Sequence, residues 1–250
     1  MPGLLRPAGD PNQVTWTKKE LFVRRLFNSL ASSYDAFNAV ASLGLHRSWR
    51  RRTLELLRLK PGETLADFCC GTGDFLELAA PRLGERGRLI GIDFSEKMLL
   101  QARRRLARRE RFPDLELVLG NVENSPLPSR SVDVVTCGYA LRNVDSLERT
   151  FAEMFRVLKP GGRVGLLELS RPQQPLLRWG YWLYLERVLP FLSRRLVEDR
   201  GALDYLSASV KAFREPEEVL YLLSDTGFRQ VRRETVFFGV CSIYLGEAGR

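Results

Sequence analysis

The sequence predicts an α/β fold, a mostly parallel sheet with helices packed on both faces, and three observations carry that expectation. From residue 64 onward, strand-like stretches alternate with helix-like ones. The strand-like stretches are almost continuously apolar, which suits strands buried on both faces. The chain has 250 residues, 44% hydrophobic and 28% charged, enough for one full-sized domain with a core. With 20 Gly, 13 Pro and 4 Cys, the composition excludes collagen-like, disordered and disulfide-framed chains. No run approaches the roughly 18 apolar residues of a transmembrane helix. Met1–Gln13 is polar and carries Pro2, Pro7 and Pro11, so no secretion signal is expected and a cytoplasmic location is.

Residues Lys18–Leu57 read as helical, with Leu21, Phe22, Leu26, Phe27 and Leu30 at helical spacing. Lys60-Pro61-Gly62-Glu63 makes a turn into a strand, Thr64–Cys70, that ends at Gly71-Thr72-Gly73. A helix over Asp74–Arg82 leads to a strand over Arg88–Asp93, and Ser95 is a good N-cap for the next helix. Leu115–Gly120 and Val132–Cys137 follow as strands, then a helix over Leu147–Leu158 that ends at Lys159-Pro160-Gly161-Gly162, then a strand over Arg163–Leu169. Gln173–Phe213 breaks the rhythm with Trp179, Tyr181, Trp182, Tyr184 and Phe191, while Arg178, Glu186, Arg187 and Pro190 prevent a bilayer span. A helix over Pro216–Asp225 and strands over Phe228–Thr235 and Phe238–Gly246 close the chain. The expected organisation is a single domain: a helical cap (1–60), a ligand-binding core (61–170), a helical insertion over the substrate (171–213) and a closing helix with two strands (214–250).

The net charge is +9, from 39 basic residues, 33 of them Arg, against 30 acidic ones. Such a balance admits nucleic acid, an anionic membrane surface or an anionic small molecule as partner. Cys69, Cys70, Cys137 and Cys241 show no C-x-x-C spacing and His46 is the sole histidine, so neither a zinc site nor a Cys–His catalytic pair is expected. Cys69 and Cys70 are adjacent in a predicted strand and should face opposite sides.

Open α/β sheets bind ligands beyond the carboxyl ends of their strands. The first such junction, Asp67-Phe68-Cys69-Cys70-Gly71-Thr72-Gly73-Asp74, lets the backbone approach a ligand closely, but Leu76 stands where a dinucleotide fingerprint needs its third Gly. Asp93 ends the next strand 20 residues after Gly73, where a carboxylate can accept from both hydroxyls of a ribose. Its alternative role is an N-cap, which Ser95 already fills. Asn121 and Val122 follow the third strand, where an amide can read an adenine edge and Val122 can pack on its face; alone, Asn121 reads as a turn residue.

The order of these landmarks resembles the class I S-adenosylmethionine-dependent methyltransferases over residues 60–170. That resemblance implies a Rossmann-like seven-stranded sheet with an antiparallel last strand and S-adenosylmethionine as methyl donor, with no metal. The flanks narrow it. Phe27-Asn28-Ser29-Leu30-Ala31-Ser32-Ser33-Tyr34-Asp35-Ala36-Phe37-Asn38, Leu45-His46-Arg47-Ser48-Trp49-Arg50, Gly138-Tyr139-Ala140-Leu141-Arg142-Asn143-Val144 and Glu168-Leu169-Ser170-Arg171-Pro172 are similar to motifs of the ubiquinone/menaquinone biosynthesis C-methyltransferases. Tyr205, Leu206, Ser209, Val210 and Phe213 match a further one. Arg214 stands where that family usually has Pro, and Tyr244 where it commonly has His. The resemblance implies cofactor contacts at Asp67, Gly71, Thr72, Gly73, Asp93, Phe94, Met98, Asn121, Val122 and Cys137, substrate contacts at Tyr34, Asp35 and Tyr139, and catalytic roles for Arg142 and Asn143.

The implied reaction is methylation of a ring carbon of a polyprenyl hydroquinone, demethylmenaquinol in menaquinone biosynthesis, with the benzoquinol of ubiquinone biosynthesis as the alternative. A neutral arene carbon is a poor nucleophile, and ionising the neighbouring hydroxyl activates it. The protein must therefore stabilise a phenolate and aim the carbon at the methyl group. Arg142 suits the first task, directly or through a water, and Asn143 would orient that water or a ring oxygen. His46 is expected to be structural beside Trp49. The segment Trp179–Leu192 is the expected place for the prenyl tail, with Trp182 and Leu185 against it; its aromatic character reads either as ordinary core packing or as a lid over an apolar substrate in peripheral contact with the inner face of a membrane. The basic run Arg103, Arg104, Arg105, Arg108, Arg109 and Arg111 would suit an RNA methyltransferase, but a solvated helix face explains it and no nucleic-acid partner is expected.

Overall fold

In the computed structural model, which describes residues 6–7, 17–107, 113–194 and 200–249, the helical start divides into α1 (Lys18–Leu30), α2 (Tyr34–Ala41) and α3 (His46–Leu57). Thr17 and Glu20 form a capping box on α1. The helical reading of Lys18–Leu57 holds as three helices, and α2 ends before α3 where Leu43 and Gly44 take φ of 51° and 79°, a left-handed turn that Gly adopts freely.

Eight strands among the described residues form one sheet: β1 (Arg6–Pro7), β2 (Thr64–Phe68), β3 (Arg88–Asp93), β4 (Asp114–Leu119), β5 (Val132–Gly138), β6 (Leu158–Leu169), β7 (Phe228–Val236) and β8 (Cys241–Ala248). Their order is β1-β4-β3-β2-β5-β6-β8-β7, and β8 alone runs antiparallel to its neighbours. The expected seven strands are β2 to β8; the two-residue β1 lengthens the β4 edge. Between them lie α4 (Asp74–Leu83), α5 (Glu96–Leu106) and α6 (Leu147–Val157), then α7 (Pro175–Leu183), α8 (Leu189–Ser193), α9 (Arg200–Ala212) and α10 (Pro216–Asp225). Arg108, Arg109 and Arg111 of the basic run, and all of Met1–Gln13 except Arg6 and Pro7, lie outside the described residues.

Both faces of the sheet are covered. Leu65 and Leu89 pack with Leu54, Phe75, Leu76 and Leu99 of α3, α4 and α5. Their strand neighbours Ala66, Phe68, Ile90 and Ile92 pack on the opposite side with Phe151, Met154, Val219 and Leu223 of α6 and α10. This two-sided burial is why the strands read as continuous apolar runs. Tyr244 belongs to the second of these cores and is fully buried there, so its place in the sequence pattern is a packing position. A third cluster, with Leu26, Leu30 and Phe37 against Tyr181, Leu189 and Val210, joins the N-terminal helices to the insertion above the carboxyl ends of the strands. In the insertion, α7 runs through a π-helical stretch, Tyr184–Val188, into α8. Pro190 has no N–H to give to the turn before it, which accounts for the altered ladder. No helix of the described residues is long and apolar enough to cross a membrane.

Three strand limits differ from expectation. β2 stops at Phe68, because Cys69 turns into φ 57°, so Cys69 and Cys70 lie in the loop rather than in the strand. β6 begins at Leu158: the expected turn Lys159–Gly162 is an irregular entry to the strand, with a register shift opposite Val132 and Val134. β8 begins at Cys241 rather than Phe238, because Phe237–Gly239 makes a 3-10 turn with Phe238 at φ 55°.

The N-terminal helices are fastened to the sheet at two points. Asp74, at the start of α4, faces Arg105 at 2.7 Å, Arg50 at 3.5 Å and Arg47 at 4.0 Å. Arg105 also meets Glu77 at 2.9 Å and Asp35 at 3.3 Å. Further along, α3 lies directly on β6: a Cβ on Gly165 would come within 2.6 Å of Leu57 Cδ1. Gly165→Ala should therefore destabilise the fold by about 1–3 kcal/mol in urea unfolding. Leu57→Ala, introduced into that variant, should cost less than it does in the wild type; additive losses would show that the contact is not tight.

Candidate active site

A cleft opens where β2, β3, β4 and β5 end, on the side where the chain reverses its direction of sheet growth. Gly71, Asp93, Phe94, Met98, Asn121 and Val122 line it, as expected, together with Glu20, Phe27, Cys69, Glu123, Ala140 and Val144. Asp93 accepts hydrogen bonds from Gly71 N and Ser95 N, each at 2.8 Å. Burial pushes its carboxyl up to about 6, although those backbone N–H groups work the other way. Ser95 caps α5 by accepting from Met98 N at 3.2 Å, so the N-cap role is filled without Asp93. Asn121 caps the short 3-10 turn Val122–Asn124 by accepting from Glu123 N at 2.9 Å, and its amide donates to Glu20 Oε1 at 2.7 Å.

Four expected cofactor contacts sit behind this surface instead of on it. Asp67 is buried and accepts from Thr136 Oγ1 at 2.7 Å; burial pushes its pKa up to about 7. Thr72 donates to Asp35 Oδ1 at 2.6 Å, which ties α2 to the glycine loop. Gly73, at φ 84°, lets α5 approach: an added Cβ would meet Leu106 at 3.2 Å and Ala102 at 3.3 Å. Cys137 is buried in β5. Asp35, expected to touch substrate, lines neither cavity; its partners are Thr72 and Arg105.

Beyond the cleft lies a second cavity of about 380 Å³, almost wholly apolar, roofed by α1, α2, the insertion and the Phe237–Gly239 turn. Phe27, Tyr34 and Tyr139 line both spaces and form the partition between them. Tyr139 holds φ 61°, uncommon for a bulky residue, and its N–H donates to Leu167 O at 2.6 Å. The Arg50 guanidinium stands 4.8 Å from the centre of the Tyr139 ring. Tyr34 lies over the loop, with Cε1 3.9 Å from where a Cβ on Gly71 would be.

Arg142 lines the apolar cavity with its side chain 9% exposed. Nη1 donates to Glu168 Oε1 at 2.5 Å and to Tyr139 O at 2.6 Å, and the Arg142 N–H donates to Glu168 Oε2 at 3.2 Å. Burial opposes the charge, but Glu168 outweighs it and raises the guanidinium's pKa further. Arg142 is thus a permanent cation in an apolar wall. Asn143 lines the cleft; its Oδ1 accepts from Tyr205 Oη at 3.0 Å. Leu185 lines the cavity as expected, whereas Trp182 does not and stacks under Lys211 instead. His46 lines the apolar cavity as well, with Nδ1 2.9 Å from Ser42 Oγ. Sequence reasoning missed Glu20, Arg50 and Glu168 as parts of the site. The Thr17–Glu20 spacing signals a helix start, and a carboxylate inside the apolar run of β6 is itself a signal that a cation lies nearby.

The model of the ubiE/COQ5 methyltransferase family matches residues 14–248. The chain belongs to that family. A demethylmenaquinone methyltransferase of Desulfitobacterium hafniense is 35% identical over 93% of this chain and 92% of its own length. One of Symbiobacterium thermophilum is 37% identical over 93% and 95%. Among solved structures, a SAM-dependent methyltransferase of Thermotoga maritima covers 90% of this chain and 98% of its own at 20% identity, with a TM-score of 0.60, and one of Aquifex aeolicus covers 80% and 89% at 18%, with a TM-score of 0.59. These two share the fold, and the family makes this chain a methyltransferase.

The buried carboxyls of this methyltransferase tie its stability to pH. Asp93 is held above its unfolded value of 3.8, so between pH 4 and 6 the folded protein keeps a proton that the unfolded chain has released. Stability contributed by the protonated group is full below that window and is lost as pH rises through it. The unfolding free-energy difference between wild type and Asp93→Asn should fall by about 2–2.5 kcal/mol from pH 4 to pH 7. A pH-independent difference in urea melts would contradict this.

Proposed function

We propose that this methyltransferase transfers the methyl group of S-adenosylmethionine to a ring carbon of a polyprenyl naphthoquinol, converting demethylmenaquinol to menaquinol. The observation that carries the reading is the junction at Tyr34 and Tyr139 of a polar, carboxylate-bearing cleft with a large apolar cavity that holds one buried guanidinium. The related demethylmenaquinone methyltransferases point the same way.

The cleft residues fit S-adenosylmethionine. Asp93 accepts from the ribose hydroxyls, Asn121 faces the adenine edge, and Phe94, Met98 and Val122 supply apolar walls; Asp67, Thr72, Gly73 and Cys137 shape the strand ends beneath. When bound, the sulfonium supplies an electrophilic methyl group. The cleft has about 60 Å³ of free space as it stands, so the α1 residues Glu20 and Phe27 must move outward to admit a ligand of that size.

On the other side of the partition, the apolar cavity excludes water from the ring and takes the start of the prenyl chain. Arg142 stabilises the phenolate that makes the neighbouring carbon nucleophilic, in a setting where a fixed charge acts far more strongly than in water. Glu168 aims the guanidinium and keeps it in one rotamer. Asn143 orients the ring oxygen from the cleft side, and Tyr34 and Tyr139 hold the ring plane. Methyl transfer turns the phenolate into a neutral dienone and releases the thioether; the ring carbon then gives up its proton and the oxygen takes one, which restores the hydroxyl with one net proton released to solvent.

The rim of the cavity faces outward with Leu43, Leu176 and Phe238 each 65–78% exposed. We propose that this rim rests on a membrane surface, so that the prenyl chain reaches the cavity without crossing water. Phe238→Ser with Leu176→Ser should cut co-sedimentation with anionic liposomes several-fold while S-adenosylmethionine affinity is retained; undiminished co-sedimentation would refute the rim.

The decisive assay is mass spectrometry of the wild type with S-adenosylmethionine and chemically reduced demethylmenaquinol, with a benzoquinol analogue in parallel. One methyl group should appear on the naphthoquinol ring. Arg142→Ala should lower turnover by about 100- to 1,000-fold, with partial recovery in Arg142→Lys. Methylation of the benzoquinol alone would correct the substrate, and methylation of neither, with S-adenosylmethionine still bound, would overturn the substrate reading.

A further inference from the structure

Among the described residues, seven buried side-chain polar atoms have no hydrogen-bond partner, and four of them belong to residues that line the apolar cavity: Asn38 Nδ2, Tyr139 Oη, Arg142 Nε and Tyr181 Oη. A buried polar group without a partner is costly and uncommon, so four in one wall call for a reason. The other tyrosine hydroxyls of this wall with hydrogen bonds to named atoms behave in the ordinary way: Tyr184 donates to Val40 O at 3.1 Å and Tyr205 to Asn143 Oδ1 at 3.0 Å.

The four differ in what stands beside them. Asn38 faces the Tyr34 hydroxyl, and Tyr139 faces the Cys241 thiol. Arg142 Nε can only donate, which fits an oxyanion. Tyr181 lines the same cavity as Arg142, and its hydroxyl, with the Cys241 thiol nearby, makes no hydrogen bond. Burial keeps it protonated, so it can both donate and accept. It is carried on α7 while Arg142 follows β5, so the two groups approach the cavity from different elements.

We infer that Tyr181 is a specificity-determining residue whose hydroxyl takes the second ring oxygen of the substrate, the one across the ring from the oxygen that Arg142 stabilises. This rests on the naphthoquinol reading above. It makes the site selective for a reduced, two-hydroxyl ring: Arg142 Nε–H serves the ionised oxygen, and Tyr181 serves the hydroxyl that stays protonated. A site with a polar group built for a substrate hydroxyl discriminates against an analogue that lacks it, because that group is then left unpaired.

The test compares two substrates in the full-length enzyme under anaerobic conditions. One is a 2-prenyl-1,4-naphthalenediol; the other is 3-prenyl-1-naphthol, which keeps the hydroxyl beside the accepting carbon and lacks the opposite one. In Tyr181→Phe the ratio of kcat/KM for diol over naphthol should fall by about 3- to 10-fold relative to the wild type, through KM for the diol. Tyr184→Phe, which removes a hydroxyl already bonded to the protein, should lower the melting temperature and leave that ratio as in the wild type. S-adenosylmethionine affinity confirms that each variant is folded. If Tyr181→Phe lowers both substrates equally, or leaves the diol unaffected, the assignment is overturned while the methylation reading stands. If the wild type methylates neither compound, the substrate reading falls and the assignment with it.

Discussion

Both cavities depend on the charge cluster around Asp74. This carboxylate is 5% exposed at the first turn of α4, where the helix dipole already favours a negative group. Burial alone would raise its pKa, yet Arg50 and Arg105 outweigh that and lower it. The partners arrive from two directions: Arg47 and Arg50 from α3, and Arg105 from α5, which also reaches Asp35 at the start of α2. Removing one partner from a buried pair costs about 3–5 kcal/mol because the other charge is left uncompensated. The cluster therefore fixes α2 and α3 above the glycine loop. Tyr34 is then held over Gly71, and Arg50 against Tyr139, so the partition between the two spaces is a product of ion pairing behind the glycine loop.

A second buried pair, Arg142 with Glu168, answers a different demand. A methyl acceptor that must ionise in an apolar cavity needs a cation there, and an isolated buried guanidinium is expensive. Glu168, fully buried in β6, supplies the counter-charge and accepts from Arg142 N, Arg142 Nη1 and Leu169 N. The backbone bonds hold the carboxylate still, and the bond to Nη1 leaves Nε without a protein partner. Preorganised charge of this kind does not have to reorganise when the phenolate forms. The result is an apolar cavity with a fixed, paired guanidinium in its wall.

The sheet was legible in the sequence because burial on both faces writes itself as uninterrupted apolar runs, and Ser95 announced the start of α5 by its own side-chain chemistry. Asp93, Asn121 and Gly71 were legible because the carboxyl ends of parallel strands must converge. Other residues carried no local signal of their role. Asp35 sits beside Tyr34 in sequence, but the helical rotation between neighbours sends it to Thr72 and Arg105, away from the ring. Trp182 is as apolar as Leu185, and which of the two meets the cavity depends on how α7 turns through the π-helical stretch. Arg50 reads as one more arginine in a run of basic residues, and its position over Tyr139 follows from the packing of α3 on β6 at Gly165. Long-range contacts of this kind have no local periodicity to reveal them.

The wall of the cofactor cleft is also the start of a helix. Glu20 closes the capping box of α1 through Thr17 N at 2.7 Å and with its other oxygen accepts the Asn121 amide at 2.7 Å, while Lys19 donates to Val144 O. Ser95 adds a bond to Asn28 Oδ1 at 2.7 Å one helical face further along. These contacts are polar and few, and each is worth about 1 kcal/mol on its own. The apolar side of α1 is different: Leu26 and Leu30 are buried with the insertion. α1 is therefore anchored firmly over the substrate cavity and only lightly over the cleft. The space needed by a large ligand can open at the Glu20 end without disturbing the apolar chamber at the other, and the partition residue Phe27 lies on the segment between them.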